Sequence, residues 1–132
     1  MSTAVRARGT EMDALRVISD VLDEWRAGID AHDPGRVAAA FTEDAVFQGL
    51  RPYGVGRRVV ADYYDSQPAG MTVTYRILES RRLADNVVIG YLAATFSYPD
   101  RADVELTIGV VLTRTGDAWR MAQYQASAEP VF

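Results

Sequence analysis

The sequence predicts an α+β domain, a cone-shaped α+β barrel in which three N-terminal helices pack on a strongly curved antiparallel sheet. Apolar residues recur at spacings of three and four only in the first half of the chain. From Thr72 onward the chain alternates strand-forming segments with short turns. Gly49, Gly90 and Gly109 fall inside predicted strands, where glycine marks a bulge, a bend or space beside the backbone. A bent sheet folded over helices encloses an apolar interior.

The first helix is predicted over residues 11–31, after a disordered leader of residues 1–10. Asp33 is the expected N-cap of a second helix, with Pro34 at its first position, running to about Phe41. A third helix is predicted over residues 57–65. The apolar stripe of the first helix comprises Leu15, Ile18, Leu22, Trp25 and Ile29.

Five strands are predicted, the first over residues 45–50 and followed by an irregular loop. No repeat or composition shift divides the chain, so residues 11–132 are expected to form a single cone domain. The other four strands are predicted over residues 72–81, 86–98, 103–113 and 118–126.

Composition excludes several classes of chemistry. The chain has 132 residues, 48% of them apolar, which suits one globular domain. Cysteine and lysine are absent and His32 is the single histidine, which excludes thiol nucleophiles, Schiff bases and multi-histidine metal sites. The net charge of −4 argues against a nucleic-acid surface, and no segment reaches the ~20 apolar residues of a membrane span. We therefore expect a cytoplasmic protein without cofactor, metal, nucleic-acid or membrane partner.

Three segments together resemble a known superfamily: residues 25–33, residues 37–41 and residues 43–47, followed by the helix of residues 56–64 and a final strand from Trp119. This order is similar to the cone-shaped superfamily of nuclear transport factor 2, ketosteroid isomerase and SnoaL-type polyketide cyclases. Within it, the chain most resembles the SgcJ/EcaC family found beside enediyne polyketide genes. The resemblance implies the fold, while the scaffold hosts many functions.

The resemblance also implies that the isomerase machinery is absent. The position of the isomerase base is occupied by Gly49, and the two oxyanion positions by Trp25 and Gly109. Tyr64 matches the supporting tyrosine of the third helix and is retained. Many related domains carry a histidine on the last strand, and Gln125 stands at that position. Glutamine can orient a carbonyl but cannot act as a base near neutral pH.

Other titratable groups are weaker candidates. Arg76 and Glu105 can meet across strands, although both are expected at a rim, and His32 is expected in a solvated turn. Asp44 is expected at the helix-to-strand junction with its side chain hydrogen-bonded to backbone. Asp62 and Asp65 are expected on the wet face of the third helix.

Aromatic and amide side chains are better candidates for a binding site. Gln123, Gln125 and Ser127 are predicted to share one strand face with Trp119 and Met121, and buried amides favour a wet or ligand-filled cavity. Gln48, Arg51 and Tyr53 are expected to form the mouth, where the arginine would attract an anionic or carbonyl-bearing ligand. The predicted ligand-binding residues are Trp25, Phe41, Phe47, Gln48, Arg51, Tyr53, Tyr64, Tyr91, Gln123, Gln125 and Ser127.

The leading hypothesis is a protein that binds an apolar, polyketide-like (polyene or enediyne-type) small molecule in natural-product and antibiotic biosynthesis, the pathway being implied by the resemblance. A second hypothesis is a cofactor-free cyclase, isomerase or hydrolase acting on such an intermediate. A third is a dimeric structural or adaptor module. Each is compatible with a homodimer formed through the outer sheet face, by Tyr98, Val88 and Leu92 or by their alternating neighbours.

Overall fold

The computed structural model describes the backbone of residues 3–128 and the side chains of residues 13–128. Two helices, two short strands and a third helix come first, and the four longest strands follow one another after them. The elements are α1 (Thr3–Asp30), α2 (Pro34–Ala39), β1 (Phe41–Gln48), β2 (Gly54–Val55), α3 (Arg57–Asp65), β3 (Thr72–Ala84), β4 (Val87–Ser97), β5 (Val104–Thr115) and β6 (Ala118–Ala128).

The helices follow the local signals closely. The Asp33 side chain accepts a hydrogen bond from the Arg36 backbone N–H at 3.1 Å, which confirms the predicted cap of α2, and α3 has its predicted bounds. α2 ends at Ala39 because Phe41 already belongs to β1. α1 begins at Thr3 rather than at residue 11, since the alanines and arginines that precede residue 11 favour helix. Residues 1 and 2 of the predicted leader lie outside the described residues.

The sheet has the strand order β2-β1-β6-β5-β4-β3 and is not closed. The predicted architecture of three helices on a strongly curved sheet is confirmed, but the sheet is mixed because β1 runs parallel to β6. The other neighbouring strands are antiparallel. The parallel contact joins the first strand to the last, a long-range pairing that no turn signal encodes.

Extra residues at three points help to curve the sheet. Leu78 and Leu83 in β3 and Ala122 in β6 have no partner in the register of the neighbouring strand. Such bulges bend a strand and increase its twist. One extra residue also reverses the alternation of inward and outward side chains along the strand. At Ala122 this reversal determines which side chains of β6 face the interior.

The core lies between α1 and the concave face of the sheet. Ile18, Leu22 and Trp25 of α1 are fully buried, as are Leu92 and Ile108 of the sheet. Among residues 13–128 no charged side chain is buried. Within the described part of the chain, no helix combines the length and apolarity needed to cross a membrane.

Candidate functional site

Aromatic rings fill one end of the cone. Phe47 of β1 stacks on Tyr124 of β6, with ring centroids 4.9 Å apart, and its edge meets Tyr64 of α3 at 5.7 Å. Trp25 of α1 approaches Tyr124 at 6.0 Å, and Phe41 approaches it at 5.9 Å. Offset and edge-to-face contacts of this kind stabilise aromatic clusters beyond simple burial. Tyr124 is therefore the ring on which the first helix and the first strand converge.

A chain of hydrogen bonds crosses this cluster. Trp25 Nε1–H donates to the Tyr64 hydroxyl at 3.0 Å, and the Tyr64 hydroxyl donates to the Tyr124 hydroxyl at 3.5 Å. Trp25 has no exposed surface and Tyr64 is 4% exposed, so both groups are withdrawn from bulk water. Successive donors in such a chain polarise one another. Because Tyr124 accepts from Tyr64, it can still donate its own hydroxyl proton to an acceptor inside the cone.

Both phenols are neutral near physiological pH. Burial raises the pKa of Tyr64 well above its usual value of 10.0, outweighing the opposing effect of its hydrogen bonds with Tyr124 and Trp25. Burial likewise raises the pKa of Tyr124, and the adjacent Tyr64 raises it further. A raised pKa keeps the proton on oxygen, so these groups can donate hydrogen bonds but cannot serve as ready-made bases.

A cavity of about 270 Å³ opens beside these phenols. Its walls come from the segment after β1, the end of α3, the turn between β4 and β5, and strands β4, β5 and β6. Rings of tyrosine and phenylalanine supply much of the wall, with aliphatic side chains between them. The lining residues are Gly49, Leu50, Arg51, Tyr63, Tyr64, Gln67, Met71, Phe96, Tyr98, Arg101, Val104, Leu106, Tyr124 and Ala126.

The lining of the cavity contains few kinds of polar group. In the part of the chain that the structure describes, no carboxylate and no histidine lines the cavity, and the charged groups that line it are Arg51 and Arg101. Among the described residues no group of three or more His, Asp or Glu side chains is placed to hold a metal ion. The cavity can therefore hold an apolar molecule, offer it hydrogen bonds and attract negative charge, but it presents no carboxylate or imidazole base.

Two larger surface grooves lack this combination. One, of about 380 Å³, lies between α1 and the β5–β6 turn, where Arg36 and Glu24 pair across it at 3.2 Å. Another, of about 330 Å³, lies on the outer face of β4, β5 and β6. Neither contains a buried hydrogen-bonding group, so the ring-lined cavity is the candidate site.

The structure brings five of the predicted ligand-binding residues together. Tyr64 and Arg51 line the cavity directly. Trp25, Phe41 and Phe47 are fully or almost fully buried and pack behind it against Tyr124.

The structure places the other six elsewhere. Gln123 and Gln125 are exposed and line the outer-face groove with Tyr91, which is 44% exposed. Gln48 pairs with Gln125 in the sheet. Ser127 is also exposed, and Tyr53 is 66% exposed in the loop after β1.

The bulge at Ala122 explains the displaced amides. Met121 faces inward, and simple alternation from it would bring Gln123 and Gln125 inward too. Because Ala122 is an extra residue, Tyr124 and Ala126 take the inward positions instead. The prediction that the amides share a face with Met121 is therefore wrong.

The remaining candidates lie away from the cavity. His32 is exposed in the α1–α2 turn with φ 49°, and Asp62 and Asp65 are exposed on α3. Arg76 and Glu105 are exposed on strands separated by β4. Asp44 accepts a hydrogen bond from the Thr42 hydroxyl at 3.0 Å, rather than from backbone.

Sequence reasoning missed several cavity residues as site members. Tyr98 and Arg101 belong to the β4–β5 turn, whose contact with the end of β1 is long-range. In the sequence, nothing distinguishes Tyr63 and Tyr124 from the other aromatic residues of the chain. The neighbouring Tyr63 and Tyr64 both face the cavity, since the pair lies at the end of α3 where that helix meets β1.

The helices packed on a curved sheet, with a cavity at one end, place this fold in the nuclear transport factor 2-like class. The family model of the SnoaL-like domain matches residues 18–131, and the chain belongs to that family. A search of curated proteins found no match.

Solved structures share the fold at low identity. A ketosteroid isomerase-like protein from Erwinia carotovora atroseptica SCRI1043 has a TM-score of 0.74 and 22% identity, covering 88% of this chain and 97% of that one. A candidate scytalone dehydratase from Novosphingobium aromaticivorans DSM 12444 has a TM-score of 0.75 and 15% identity, covering 93% and 89%. An NTF-2 like protein of unknown function from Shewanella oneidensis MR-1 has a TM-score of 0.74 and 11% identity, covering 85% and 97%.

Proposed function

We propose that this protein binds an apolar, polyketide-like small molecule in the ring-lined cavity, acting in the cytoplasm in natural-product biosynthesis. The observation that carries the binding role is the composition of the cavity wall, which joins many rings to few polar groups, as small-molecule sites do. The pathway rests on the resemblance to the SgcJ/EcaC family. A cavity of about 270 Å³ lies just below the ~300–1,000 Å³ of typical ligand sites. It therefore fits one or two fused rings, or one end of a longer molecule.

Binding to the cavity can be tested with a neutral aromatic probe, N-phenyl-1-naphthylamine, whose fluorescence rises in apolar surroundings. Ala126 is 5% exposed and lines the cavity, so Ala126→Leu should fill part of it and weaken probe binding about tenfold or more. Native mass spectrometry should show one probe per chain.

Ala128→Leu supplies the matched control because Ala128 is exposed on the same strand. It should leave probe affinity unchanged, while thermal melts verify that both variants fold. Equal affinities in the natural protein and Ala126→Leu, or no binding at all, would contradict the proposed function.

A cofactor-free enzyme is the alternative that one observation favours, namely the donor chain ending at Tyr124. A carbonyl oxygen that accepts from the Tyr124 hydroxyl, itself polarised by the Tyr64 donor, would be activated for cyclisation, isomerisation or hydrolysis. With a substrate in hand, Tyr64→Phe would lower kcat more than affinity if this hypothesis holds. Gln125→Ala serves as its control, because Gln125 lies on the outer face. The adaptor hypothesis is less favoured, since the interior is hollow rather than collapsed.

We also propose that two copies of the chain associate through the outer sheet face. Val88 and Leu92 face inward and are fully buried, so their alternating neighbours, Ile89 and Tyr91, supply the apolar part of this face. Glu79 and Arg81 pair at 2.7 Å at its edge, and such opposite charges are self-complementary across a two-fold axis.

Sedimentation velocity should show a dimer for the natural protein and a monomer for Tyr91→Glu, which places a charge in the centre of the apolar contact. Tyr53→Glu alters a more exposed tyrosine off this face and should remain dimeric. A monomeric natural protein would be inconsistent with the proposal.

A further inference from the structure

We propose that the ligand of the ring-lined cavity is an anion, an aromatic or other apolar acid whose carboxylate lies at the mouth between Arg51 and Arg101. The proposal rests on the proposed function, because it assigns the chemical class of the molecule that the cavity binds. The ligand is expected to carry a negative charge, whereas the aromatic wall by itself would bind a neutral molecule equally well.

The two arginines belong to different parts of the fold and meet at one opening. Arg51 follows β1 and Arg101 lies in the β4–β5 turn, yet both line the same cavity. The Arg51 guanidinium lies 5.8 Å from the centroid of the Tyr63 ring, and that of Arg101 lies 4.9 Å from the Tyr98 ring. Stacking on an aromatic face holds a guanidinium in place while leaving its edge N–H groups free to donate.

The rings beneath the arginines are themselves held. The Tyr63 hydroxyl accepts a hydrogen bond from the Leu50 backbone N–H at 3.3 Å, which ties the ring to the segment that carries Arg51. Tyr63 also packs edge-on against Tyr64 at 5.1 Å. The charged mouth is thus continuous with the phenols of the inner wall.

The local charge is opposite in sign to that of the whole chain. The net charge is −4, whereas the part of the cavity lining that the structure describes carries two arginines and no carboxylate. Among the described residues no carboxylate lies within 4.0 Å of the Arg51 guanidinium, and Arg101 approaches only its neighbour Asp100, at 3.5 Å. Both side chains of the latter pair are more than half exposed, so water and salt weaken it. Two guanidinium groups with little compensation at a concave, partly apolar site attract an anion.

The inner wall accepts the rest of such a molecule. Tyr64 and Tyr124 stay neutral, so they do not repel an anion, and the Tyr124 hydroxyl can donate to an oxygen at the inner end. Phe96, Leu106 and Ala126 also line the cavity and supply apolar contact for the body of such a molecule. A flat acid with one charged end and an apolar body matches this arrangement.

The experiment compares 2-naphthoate with its neutral isostere 2-naphthamide by isothermal titration calorimetry near neutral pH. The two probes share a ring system that suits the cavity and differ in charge. We expect 2-naphthoate to bind about tenfold more tightly, because a charge-assisted bond to a guanidinium is stronger than a neutral one. This preference should shrink as salt is raised.

Arg51→Gln with Arg101→Gln should remove the preference while leaving 2-naphthamide affinity nearly unchanged. Arg114→Gln is the matched control, since Arg114 also stacks on a ring, that of Trp119 at 5.5 Å, but lies outside the cavity. Equal binding of the two probes to the natural protein, or a preference that survives the double substitution, would overturn the anion assignment and leave the cavity function standing. Failure of both probes to bind, together with failure of N-phenyl-1-naphthylamine, would remove the proposed function itself.

Discussion

Trp25→Ala is expected to lower the free energy of unfolding by about 3–5 kcal/mol, the usual cost of truncating a buried tryptophan. Trp25 has no exposed surface, its ring meets the edge of Phe96 at 6.1 Å, and its Nε1–H donates to Tyr64. Alanine would leave a void beside the cavity and deprive the Tyr64 hydroxyl of its donor. Urea unfolding followed by far-ultraviolet circular dichroism measures the change directly.

Two further variants separate packing from hydrogen bonding. Trp25→Phe keeps most of the ring but removes the Nε1–H, so its cost should be about 1–2 kcal/mol, within the range for a lost buried hydrogen bond. Trp119, the other tryptophan of the chain, is half-buried at the start of β6. Trp119→Ala should therefore cost clearly less than Trp25→Ala. Similar losses from the two alanine variants would show that α1 does not organise the ring cluster as described.

Local signals predicted the helices well because caps and periodicity act over a few residues. Asp33 and Pro34 define the start of α2, and α3 is bounded by glycine before it and by Ser66 after it. The start of β1 at Phe41 was missed, since its pairing with Met121 of β6 depends on the far end of the chain. The parallel character of that contact is likewise invisible to local patterning.

The candidate site was predictable only in part, for a related reason. Tyr64 was predicted because it matches a tyrosine of the family pattern. Arg51 was predicted because it lies in the loop expected to form the mouth. Gln123 and Gln125 were misplaced because a two-residue period cannot reveal one inserted residue, here Ala122. Arg101 gives no local sign of a binding role, since a turn brings it to the cavity only after β4 and β5 have paired.

The resemblance to ketosteroid isomerases puts Gly49 where those proteins carry their base, and Tyr63 occupies the space that a side chain at position 49 would need. A Cβ on Gly49 would lie 2.4 Å from Tyr63 Cζ and 2.5 Å from its hydroxyl oxygen, well inside contact distance. Tyr63 is packed between Phe47 and Tyr64, both at 5.1 Å, so its ring cannot move without disturbing them. A side chain at position 49 and the Tyr63 ring therefore compete for the same space.

Gly49→Ala is therefore expected to destabilise the fold by about 1–3 kcal/mol, as overpacking does, and to weaken probe binding by displacing Tyr63 from the cavity wall. The same substitution in a Tyr63→Ala background loses its three nearest contacts, all of which are to the Tyr63 ring. Gly49 does not have a positive φ, so alanine there should then be neutral or stabilising by about 0.4–1 kcal/mol.

A double-mutant cycle of these two positions measures the coupling, with urea unfolding as the readout for all four proteins. We expect a coupling energy of about 1–3 kcal/mol, since the two side chains compete for one volume. Additive effects would mean that Tyr63 does not fill the space beside Gly49. In the coupled case a carboxylate side chain at position 49 could reach the cavity only if Tyr63 were replaced at the same time, so the Tyr63 ring and a side chain at position 49 are mutually exclusive occupants of this part of the wall.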